Sequence, residues 1–587
     1  MKQKSNRSNL FESIIKDLKA EIPQNMKEQH IPGLAMALVS KEKTIWVEGF
    51  GYTDKTKTQA VNTDTLFSLQ STTKTVTTVA FLLAVQQGLV KLDDPIINYY
   101  PEFTVNSRFG KDQVNKITFR HLLSHRSGLT NEPKLGGCFD HSLCTWEEHI
   151  QSISGSWLLF PVGTRYNYSN AGMDLVAYLL EKITGTSYPE YVQKVLGDPL
   201  GIRFYYTVKE IYAQPNAAKG HLGDFEAAST DDLGLGCGVA YLSIKDLARF
   251  TRFLVNLGTF DNKQILKADY VKSMCKTDMD GGYGLGTFVY RDLGTSLPNH
   301  AGGGFGLACE MFWLPDYDIG VTAFANQEYQ EYLKSLVKKP LKRILEFEGV
   351  SFESTTFPYS GFSQKEIDIH LLDRLVGLYS GPPAWIPSLV TLKEGKLFLG
   401  PRELIPLGET IFKGENVKEV IFQLNNENKP ISLKRYTDGW GVIDMNYFGR
   451  PSTQPGPNNP EWKHYEGLYR FSFYRTEAYY DALKLEDDGY LHLASGQCLY
   501  DDKNSPPNVL FTAAGEAVTL EEDHVYIGNI KGKKINDPVT DLTKLADQNS
   551  NHRYLQGWLL DQVVNQLKYL GRAEEAENIS QLKERLS

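Results

Sequence analysis

The stretch Phe67–Ile96, FSLQSTTKTVTTVAFLLAVQQGLVKLDDPI, decides the fold that we predict for this chain. From Ser71 onward, apolar residues recur with the period of a helix that buries one face, and Gly88 can end that helix. Ser71 and Lys74 lie three residues apart at its start, so both side chains project from one face. A serine becomes a useful nucleophile when a base lies within hydrogen-bond reach. The free N–H groups of the first turn favour the negative charge that then develops.

The Ser-x-x-Lys spacing alone has little specificity. Copies of it start at Ser13, Ser40, Ser71, Ser273, Ser335 and Ser580. The copy at Ser71 differs because it follows the apolar stretch Thr65–Phe67 and opens a predicted helix. An alternative reading of this copy alone is that Ser71 caps the helix and Lys74 is a solvated lysine of the first turn.

A second motif, Tyr168-Ser169-Asn170, follows the turn PVGTRYN and precedes a predicted helix over Met173–Thr184. A tyrosine beside a lysine cation can have a lowered pKa, and it can pass a proton between nucleophile and leaving group. Asn170 can hold the lysine and a substrate amide. The alternative is a packed loop tyrosine followed by a residue that caps the helix.

The third motif is His300-Ala301-Gly302-Gly303, in SLPNHAGGGFGLACEMFWLP. Small residues after a histidine on an edge strand allow a substrate to lie against the backbone. The N–H of Gly303 could then form an oxyanion hole with the N–H of Ser71. A His-x-Gly pattern also occurs at His221, so this motif is weak by itself.

The three motifs, in this order, resemble those of class C serine β-lactamases, DD-peptidases, D-aminopeptidases and related esterases, a penicillin-binding-protein-like group of hydrolases. Other segments match the same group over about residues 20–345. These segments are Phe67–Ile96, Ile117–Leu129 (ITFRHLLSHRSGL), Pro161–Gly185 and Tyr283–Gly286 (YGLG). A motif is supported by its context, and here the contexts agree.

The resemblance implies that Ser71 is acylated, that Lys74 and Tyr168 manage the protons, and that water hydrolyses the acyl-enzyme. It implies neither a metal nor a cofactor. The substrate-binding and oxyanion positions that it implies are Asn170, His300, Gly302 and Gly303. The substrate expected for such a site is a small molecule or a short peptide with an amide or ester bond.

One departure from the family pattern affects the expected substrate. This chain has His300-Ala301-Gly302 where a β-lactamase has Lys-Thr-Gly, so the positive charge that would bind a β-lactam carboxylate is weaker or depends on pH. That favours a peptidase, amidase or esterase over an efficient β-lactamase. A β-lactamase, an acyltransferase, and a penicillin-binding-like scaffold or sensor without turnover stay open as alternatives.

The length of 587 residues predicts more than one domain. Strand-like segments such as Gly33–Ser40, Gly282–Arg291 and Gly320–Asn326 flank predicted helices, which indicates an α/β (α+β) domain with a mainly antiparallel sheet. Beyond it, a weak repeat starts at LVGLYSG and again at YEGLYRF, which predicts two small antiparallel β domains of barrel or sandwich type. The predicted units are a catalytic domain (1–346), a linker (347–372), two β domains (373–450 and 461–540) and a helical segment (541–587).

The two β domains resemble the accessory barrels of D-aminopeptidases, in which a loop can restrict the active site. We therefore hypothesise that residues 373–540 limit substrate size. The helical segment is expected to pack on a domain or on another subunit, and a homo-oligomer stays open.

Composition and charge restrict partners and location. The net charge of −9 and the lack of a clustered basic stretch disfavour nucleic-acid and membrane surfaces. The N-terminal stretch lacks the apolar run of a signal peptide, so we expect a cytoplasmic protein. The six cysteines are expected to be free thiols, although Cys138 and Cys144 are near enough to pair. His121 and His125 have a zinc-like spacing without a third ligand, and we expect a structural role for them.

Overall fold

The computed structural model describes residues 2–138, 140, 143–222, 225–227, 233–277, 282–327, 330–351, 368–380, 388–400, 402–414, 417–437, 441–447, 449, 456–473, 477–548 and 558–586. Most of the predicted linker at 347–372 and half of the Pro-rich segment at 451–460 lie outside these residues.

An antiparallel sheet organises the first part of the chain. Its strands are β1 (Gly33–Val39), β2 (Thr44–Gly51), β3 (Phe288–Asp292), β4 (Thr295–Gly304), β5 (Leu307–Leu314) and β6 (Ile319–Ala325). The spatial order is β3-β4-β5-β6-β1-β2. Three of these strands, β1, β5 and β6, are buried along their whole length, which explains their nearly continuous apolar sequences.

Helices cover both faces of this sheet. They are α1 (Lys2–Glu28), α2 (Thr73–Gln86), α3 (Phe119–Leu123), α4 (Trp146–Gln151), α5 (Asn170–Thr184), α6 (Tyr188–Val192), α7 (Asp198–Leu200), α8 (Val208–Tyr212), α9 (Ile244–Val255), α10 (Ala268–Met274) and α11 (Gln330–Phe347).

Successive side chains of β1 enter two separate cores, because neighbouring residues of a strand point to opposite faces. Ala35, Ala37 and Val39 pack with α2, α5 and α9, whereas Leu34, Met36 and Leu38 pack with α1 and α11. The predicted α/β fold with a mainly antiparallel sheet is confirmed.

Two antiparallel barrels follow. Barrel one comprises β7 (Gly377–Ser380), β8 (Ser388–Lys393), β9 (Lys396–Leu399), β10 (Arg402–Pro406), β11 (Ile411–Gly414), β12 (Val417–Leu424), β13 (Pro430–Thr437) and β14 (Gly441–Tyr447). Barrel two comprises β15 (Gly467–Phe473), β16 (Glu477–Leu485), β17 (Leu491–Leu493), β18 (Gln497–Tyr500), β19 (Val509–Thr512), β20 (Ala517–Leu520), β21 (His524–Ile527) and β22 (Ile530–Ile535).

Both barrels close on themselves. In barrel one, β7 pairs with β14, and β14 also meets the sheet edge where Val442 faces Arg291 of β3. In barrel two, β15 pairs with β22. Each barrel opens with a Gly-Leu-Tyr strand, so the predicted pair of antiparallel β units is confirmed, and both are barrels.

The remaining helices are α12 (Ile369–Leu375), α13 (Pro538–Gln548), α14 (Trp558–Tyr569) and α15 (Ala573–Leu586). The last three form one apolar cluster with the outer face of barrel two, in which Leu559 and Val563 join Tyr480 and Ile535. Of the two partners left open by the sequence, the helical segment therefore contacts a domain of its own chain. No helix in the described part of the chain combines the length and apolar character needed to cross a membrane. None of the six cysteines, which all lie within the described residues, forms a disulfide bond.

Candidate active site

Ser71 lies in a single 3-10 turn, Gln70–Thr72, that leads directly into α2. Gln70 has a φ of 48°, in the left-handed region that residues with a side chain rarely adopt. The turn is held from both sides, because the N–H of Leu69 donates to the carbonyl of Ala240 at 2.8 Å and the N–H of Gln70 donates to Ser68 Oγ at 3.1 Å. Such over-determined backbone strain is typical of functional sites.

Lys74 is completely buried and faces the serine. Its Nζ lies 3.1 Å from Ser71 Oγ and 2.8 Å from the carbonyl oxygen of Cys237. Burial lowers the pKa of Lys74, although the nearby carboxylates of Asp174 and Glu132 act in the opposite direction. The neutral amine is therefore more accessible than in an ordinary lysine, and a neutral amine can accept the proton of Ser71.

Tyr168 completes this group. The Lys74 Nζ lies 4.6 Å from the centroid of the Tyr168 ring, and the Tyr168 hydroxyl interacts with the Ser71 side chain. Burial raises the pKa of Tyr168 well above its ordinary value, and the Ser71 hydrogen bond opposes this only in part. The expectation that Lys74 would lower the pKa of Tyr168 is therefore wrong, because loss of solvation is the larger effect. Tyr168 is a neutral phenol that can donate a proton.

Asn170 is the first residue of α5, and the side chain of Ser169 caps that helix by accepting from the N–H of Gly172 at 2.9 Å. The side-chain amide of Asn170 does not reach Lys74. Its Nδ2 donates to Oε1 of Glu132 at 2.5 Å, in a pair that is almost completely buried. The sequence interpretation missed Glu132, because no motif surrounds it.

Gly302 brings β4 against the nucleophile turn. A Cβ atom at this position would lie 2.1 Å from the carbonyl oxygen of Leu69 and 3.0 Å from the backbone nitrogen of Ser71, so only glycine allows this approach. Strand β4 is an edge strand only in part. Residues 295–299 of this strand pair with β3 and residues 299–304 pair with β5, so from His300 onward β5 is the one strand that pairs with it in the described part of the chain. The oxyanion role of the Gly303 N–H stays a prediction.

His300 is fully buried and neutral. Burial, with a further contribution from Lys74, lowers the pKa of His300 to about 3. The weak or pH-dependent positive charge expected from the sequence at this position is therefore absent near neutral pH. A substrate carboxylate would find no cation on this side chain.

A chain of hydrogen bonds connects the second and third motifs through His125 and Tyr283. The N–H of Ser169 donates to His125 Nδ1 at 3.2 Å, so the proton of this neutral imidazole is on Nε2, which lies 3.2 Å from the Tyr283 hydroxyl. That hydroxyl can then donate to His300 Nε2 at 3.2 Å. The proton of His300 is left on Nδ1, where it donates to the carbonyl of Ala301 at 2.8 Å.

Hydrogen bonds within the protein account for both histidines of the HLLSH segment. Both ring nitrogens of His125 form hydrogen bonds, to Ser169 and Tyr283, and His121 Nδ1 lies 3.0 Å from Thr118 Oγ1. Within the residues that the structure describes, neither histidine belongs to a group of three or more candidate metal ligands. These hydrogen bonds fit the structural role that we expect for both histidines, which stays a prediction.

Barrel two contacts the segment that supports Asn170. Thr130 Oγ1 donates to Glu516 at 2.7 Å, and burial raises the pKa of the Glu516 carboxyl. Asn529 Nδ2 donates to the carbonyl of Glu132 at 3.0 Å and to Ser156 Oγ at 2.8 Å. The barrel therefore contacts the catalytic part of the chain beside the Glu132–Asn170 pair.

The match of a family model decides the family. The model described as Beta-lactamase covers residues 18–336, more than half of the chain, and this range holds all three motifs. The chain belongs to the beta-lactamase family. The resemblance noted from the motifs is thus confirmed at the level of the family, although the family does not define one substrate.

Three curated relatives of this beta-lactamase family member are each 25% identical to it. "Beta-lactamase-like protein 2" of Dictyostelium discoideum matches over 59% of this chain and 65% of its own length. "Unguisins hydrolase ungD" of Aspergillus violaceofuscus matches over 53% of this chain and 61% of its own length. "Protein flp" of Staphylococcus aureus matches over 54% of this chain and 64% of its own length. The chain therefore spans less than two thirds of the length of these relatives.

Solved structures support the fold. The "Crystal structure of SurE" has a TM-score of 0.55 at 19% identity, and the match covers 75% of this chain and 100% of that chain. The "Crystal structure of SurE with D-Leu" has a TM-score of 0.53, also at 19% identity, and the match covers 76% of this chain and 99% of that chain. At this identity the likeness concerns the fold alone.

Proposed function

We propose that this chain is a serine hydrolase that cleaves an amide or ester bond through an acyl-enzyme on Ser71. The observation that carries the proposal is the 3.1 Å contact between Ser71 Oγ and the fully buried Nζ of Lys74, whose pKa is lowered by burial. The relative named as a hydrolase supports hydrolysis as the reaction type. The expected substrates are small molecules or short peptides.

The proposed reaction uses Lys74 as base and Tyr168 as acid. Neutral Lys74 takes the proton of Ser71 as Oγ attacks the substrate carbonyl, and the N–H groups of Ser71 and Gly303 donate hydrogen bonds to the resulting oxyanion. Tyr168 donates its proton to the leaving amine or alcohol and regains one from Lys74. Water then attacks the acyl-enzyme while Lys74 takes one of its protons, and Lys74 returns this proton to Ser71 Oγ as the acyl–oxygen bond breaks and the carboxylic acid leaves.

The neutral state of His300 favours a peptidase, amidase or esterase over an efficient β-lactamase, because a β-lactam carries a carboxylate that needs a cation. D-aminopeptidase-like and esterase-like substrates fit this proposal without a cation at His300, whereas a DD-peptidase-like substrate carries a C-terminal carboxylate and needs a cation from another side chain. Acyl transfer to an amine or alcohol uses the same acyl-enzyme, and so does acylation without turnover by a scaffold or sensor. A cytoplasmic location and a homo-oligomer stay predictions.

Intact-mass spectrometry after treatment with a fluorophosphonate, a penicillin and a D-alanine ester tests the proposal. We expect a covalent adduct on the wild type and none on Ser71→Ala. The matched control is Ser580→Ala, which changes another Ser-x-x-Lys copy, in α15, and should keep the adduct. An adduct that persists in Ser71→Ala, or no adduct with any probe, would refute the Ser71 mechanism. An acyl adduct of the penicillin or of the D-alanine ester that forms and is never released would favour the scaffold or sensor; the fluorophosphonate adduct is stable in either case.

We also propose that the segment 373–540 limits substrate size, through barrel two. Support comes from the contacts of Glu516 and Asn529 beside the Glu132–Asn170 pair. Gly515 belongs to the same contact, since a Cβ there would lie 2.1 Å from the carbonyl oxygen of Leu159.

The variant Gly515→Val should displace this contact and change the ratio of kcat/KM for a short and a long peptide. Gly496→Val is the matched control, because Gly496 has nearly the same φ, 94° against 95°, and open space around it. If Gly515→Val gives the same ratio as the wild type and the control, the size-limiting role is wrong.

A further inference from the structure

The side-chain amide of Asn170 has a fixed polarity. A carboxylate offers only acceptors, so the Asn170 amide must turn its Nδ2 toward Glu132, 2.5 Å away, and its Oδ1 the other way. Asn170 is only 9% exposed, and its Oδ1 has no hydrogen-bond partner among the residues that the structure describes. Buried polar atoms without partners are uncommon in proteins, and each one calls for an explanation.

Glu132 is itself held in place. It is 4% exposed, its carbonyl accepts from Asn529 of barrel two at 3.0 Å, and its Oε2 accepts from the N–H of Cys138 at 3.4 Å. The pair also lies close to the reacting groups, since the Glu132 carboxylate acts electrostatically on both Lys74 and Tyr168. The orientation of Asn170 is therefore built into the site.

We infer that Glu132 is a positioning residue that makes Asn170 an obligate hydrogen-bond acceptor, so that the site selects substrates with an N–H group near the scissile bond. A substrate carbonyl at the same place would face the Asn170 oxygen without a donor. This inference rests on the proposed serine-hydrolase function. It narrows the substrate class to amides, peptides and acylamino esters that carry the N–H.

The N–H can belong to the acyl part of the substrate or to its leaving group, and two pairs of esters distinguish these sources. The first pair is the methyl ester of N-acetyl-D-alanine and its N-methylated analogue. The second pair is the acetate ester of N-methylglycolamide and that of N,N-dimethylglycolamide. For the wild type we expect kcat/KM to be on the order of 10- to 100-fold higher for the N–H member of at least one pair, the effect of leaving one buried acceptor unpaired.

Variants of the pair test the role of Glu132. In Glu132→Gln, residue 132 can donate as well as accept, so the Asn170 amide can turn and the ratio should fall toward one. The double variant Glu132→Gln/Asn170→Asp exchanges the two groups, presents an acceptor at 170 again, and should restore the preference. The matched control is Glu148→Gln, in the capping box of α4, which should leave the ratio unchanged.

The outcomes separate the two proposals. If the wild type forms the Ser71 adduct with a fluorophosphonate but shows ratios near one for both ester pairs, the inference is overturned and the serine-hydrolase proposal stands. If no adduct forms, the serine-hydrolase proposal itself fails. The wild-type ratios decide the N–H selection even where a Glu132 variant does not fold. A preference that persists unchanged in a folded Glu132→Gln would overturn the role of Glu132.

Discussion

The variant Tyr283→Phe removes one oxygen atom from the middle of the hydrogen-bond chain between His125 and His300. All three side chains are at most 1% exposed, so water cannot replace the lost hydroxyl without a rearrangement. The Nε2–H of His125 loses its acceptor at 3.2 Å, and Nε2 of His300 loses its donor at 3.2 Å. The change therefore leaves two unsatisfied groups and removes only one polar atom.

The size of the effect follows from these two groups. Each buried donor or acceptor left without a partner costs about 1–3 kcal/mol. The Tyr283 hydroxyl is itself a buried polar group whose desolvation costs free energy, so its removal offsets part of this sum. We expect the free energy of unfolding to fall by about 2–4 kcal/mol. We also expect slower acylation of Ser71, since His300 can then turn or change its tautomer beside Gly302.

Fluorophosphonate labelling of Ser71 measures both effects, because it reports on the catalytic part of the chain. The labelling rate without urea gives the acylation effect, and the loss of labelling with increasing urea gives the unfolding midpoint. The matched control is Tyr191→Phe. Tyr191 is 4% exposed and its hydroxyl has no hydrogen-bond partner within the described residues, so its loss should cost little. If Tyr283→Phe shifts the urea midpoint no further than Tyr191→Phe, the hydrogen-bond chain contributes nothing and the reasoning is refuted.

Three further predictions concern charge. As pH rises past the pKa of Lys74, which lies below the ordinary 10.5, kcat/KM should rise, because only the neutral amine is a base. The variant Lys74→Arg stays protonated, so it should lose this rise and about 100-fold or more of kcat/KM. The His300 pKa of about 3 lies below the ordinary 6.5, so the unfolded chain binds the proton first as pH falls. Through this group alone, the free energy of unfolding should therefore be about 2 kcal/mol lower at pH 5 than at pH 7. Urea unfolding of His300→Gln at the two pH values should lack this contribution. Glu310 and Lys334 form a buried pair at 4.0 Å, so Glu310→Ala should cost about 3–5 kcal/mol in thermal unfolding, and Glu310→Leu/Lys334→Met should cost less.

Features that depend on neighbours in the sequence could be predicted well. The strand-like segment Gly33–Ser40 forms β1, and the predicted helix over Met173–Thr184 forms as α5 and ends at Gly185 in the left-handed conformation. The strand predicted over Gly282–Arg291 forms only from Phe288, because Gly282 and Gly286 have φ values of 108° and 54°. The alternation of apolar residues gave no sign of this.

Contacts between distant parts of the chain could not be predicted. Glu132 and Asn170 are 38 residues apart, and His125 and Tyr283 are 158 apart. No motif surrounds Glu132, and Tyr283 lies in the YGLG segment that matches the family without a role being implied for its hydroxyl. The fold alone brings them to the motifs, and each then fixes the orientation of a residue that the sequence had already indicated.

The pKa of Tyr168 shows why the proton path could not be read from the motifs. The spacing placed a lysine beside a tyrosine, and the charge of that lysine alone would lower the tyrosine pKa. Both side chains are buried, however, and burial disfavours the charged form of each group, so it lowers the pKa of Lys74 and raises that of Tyr168. Burial therefore shifts both groups toward their neutral forms. In such a pair Lys74 is the group that can take a proton from Ser71, and Tyr168 is the group that can give one to the leaving atom.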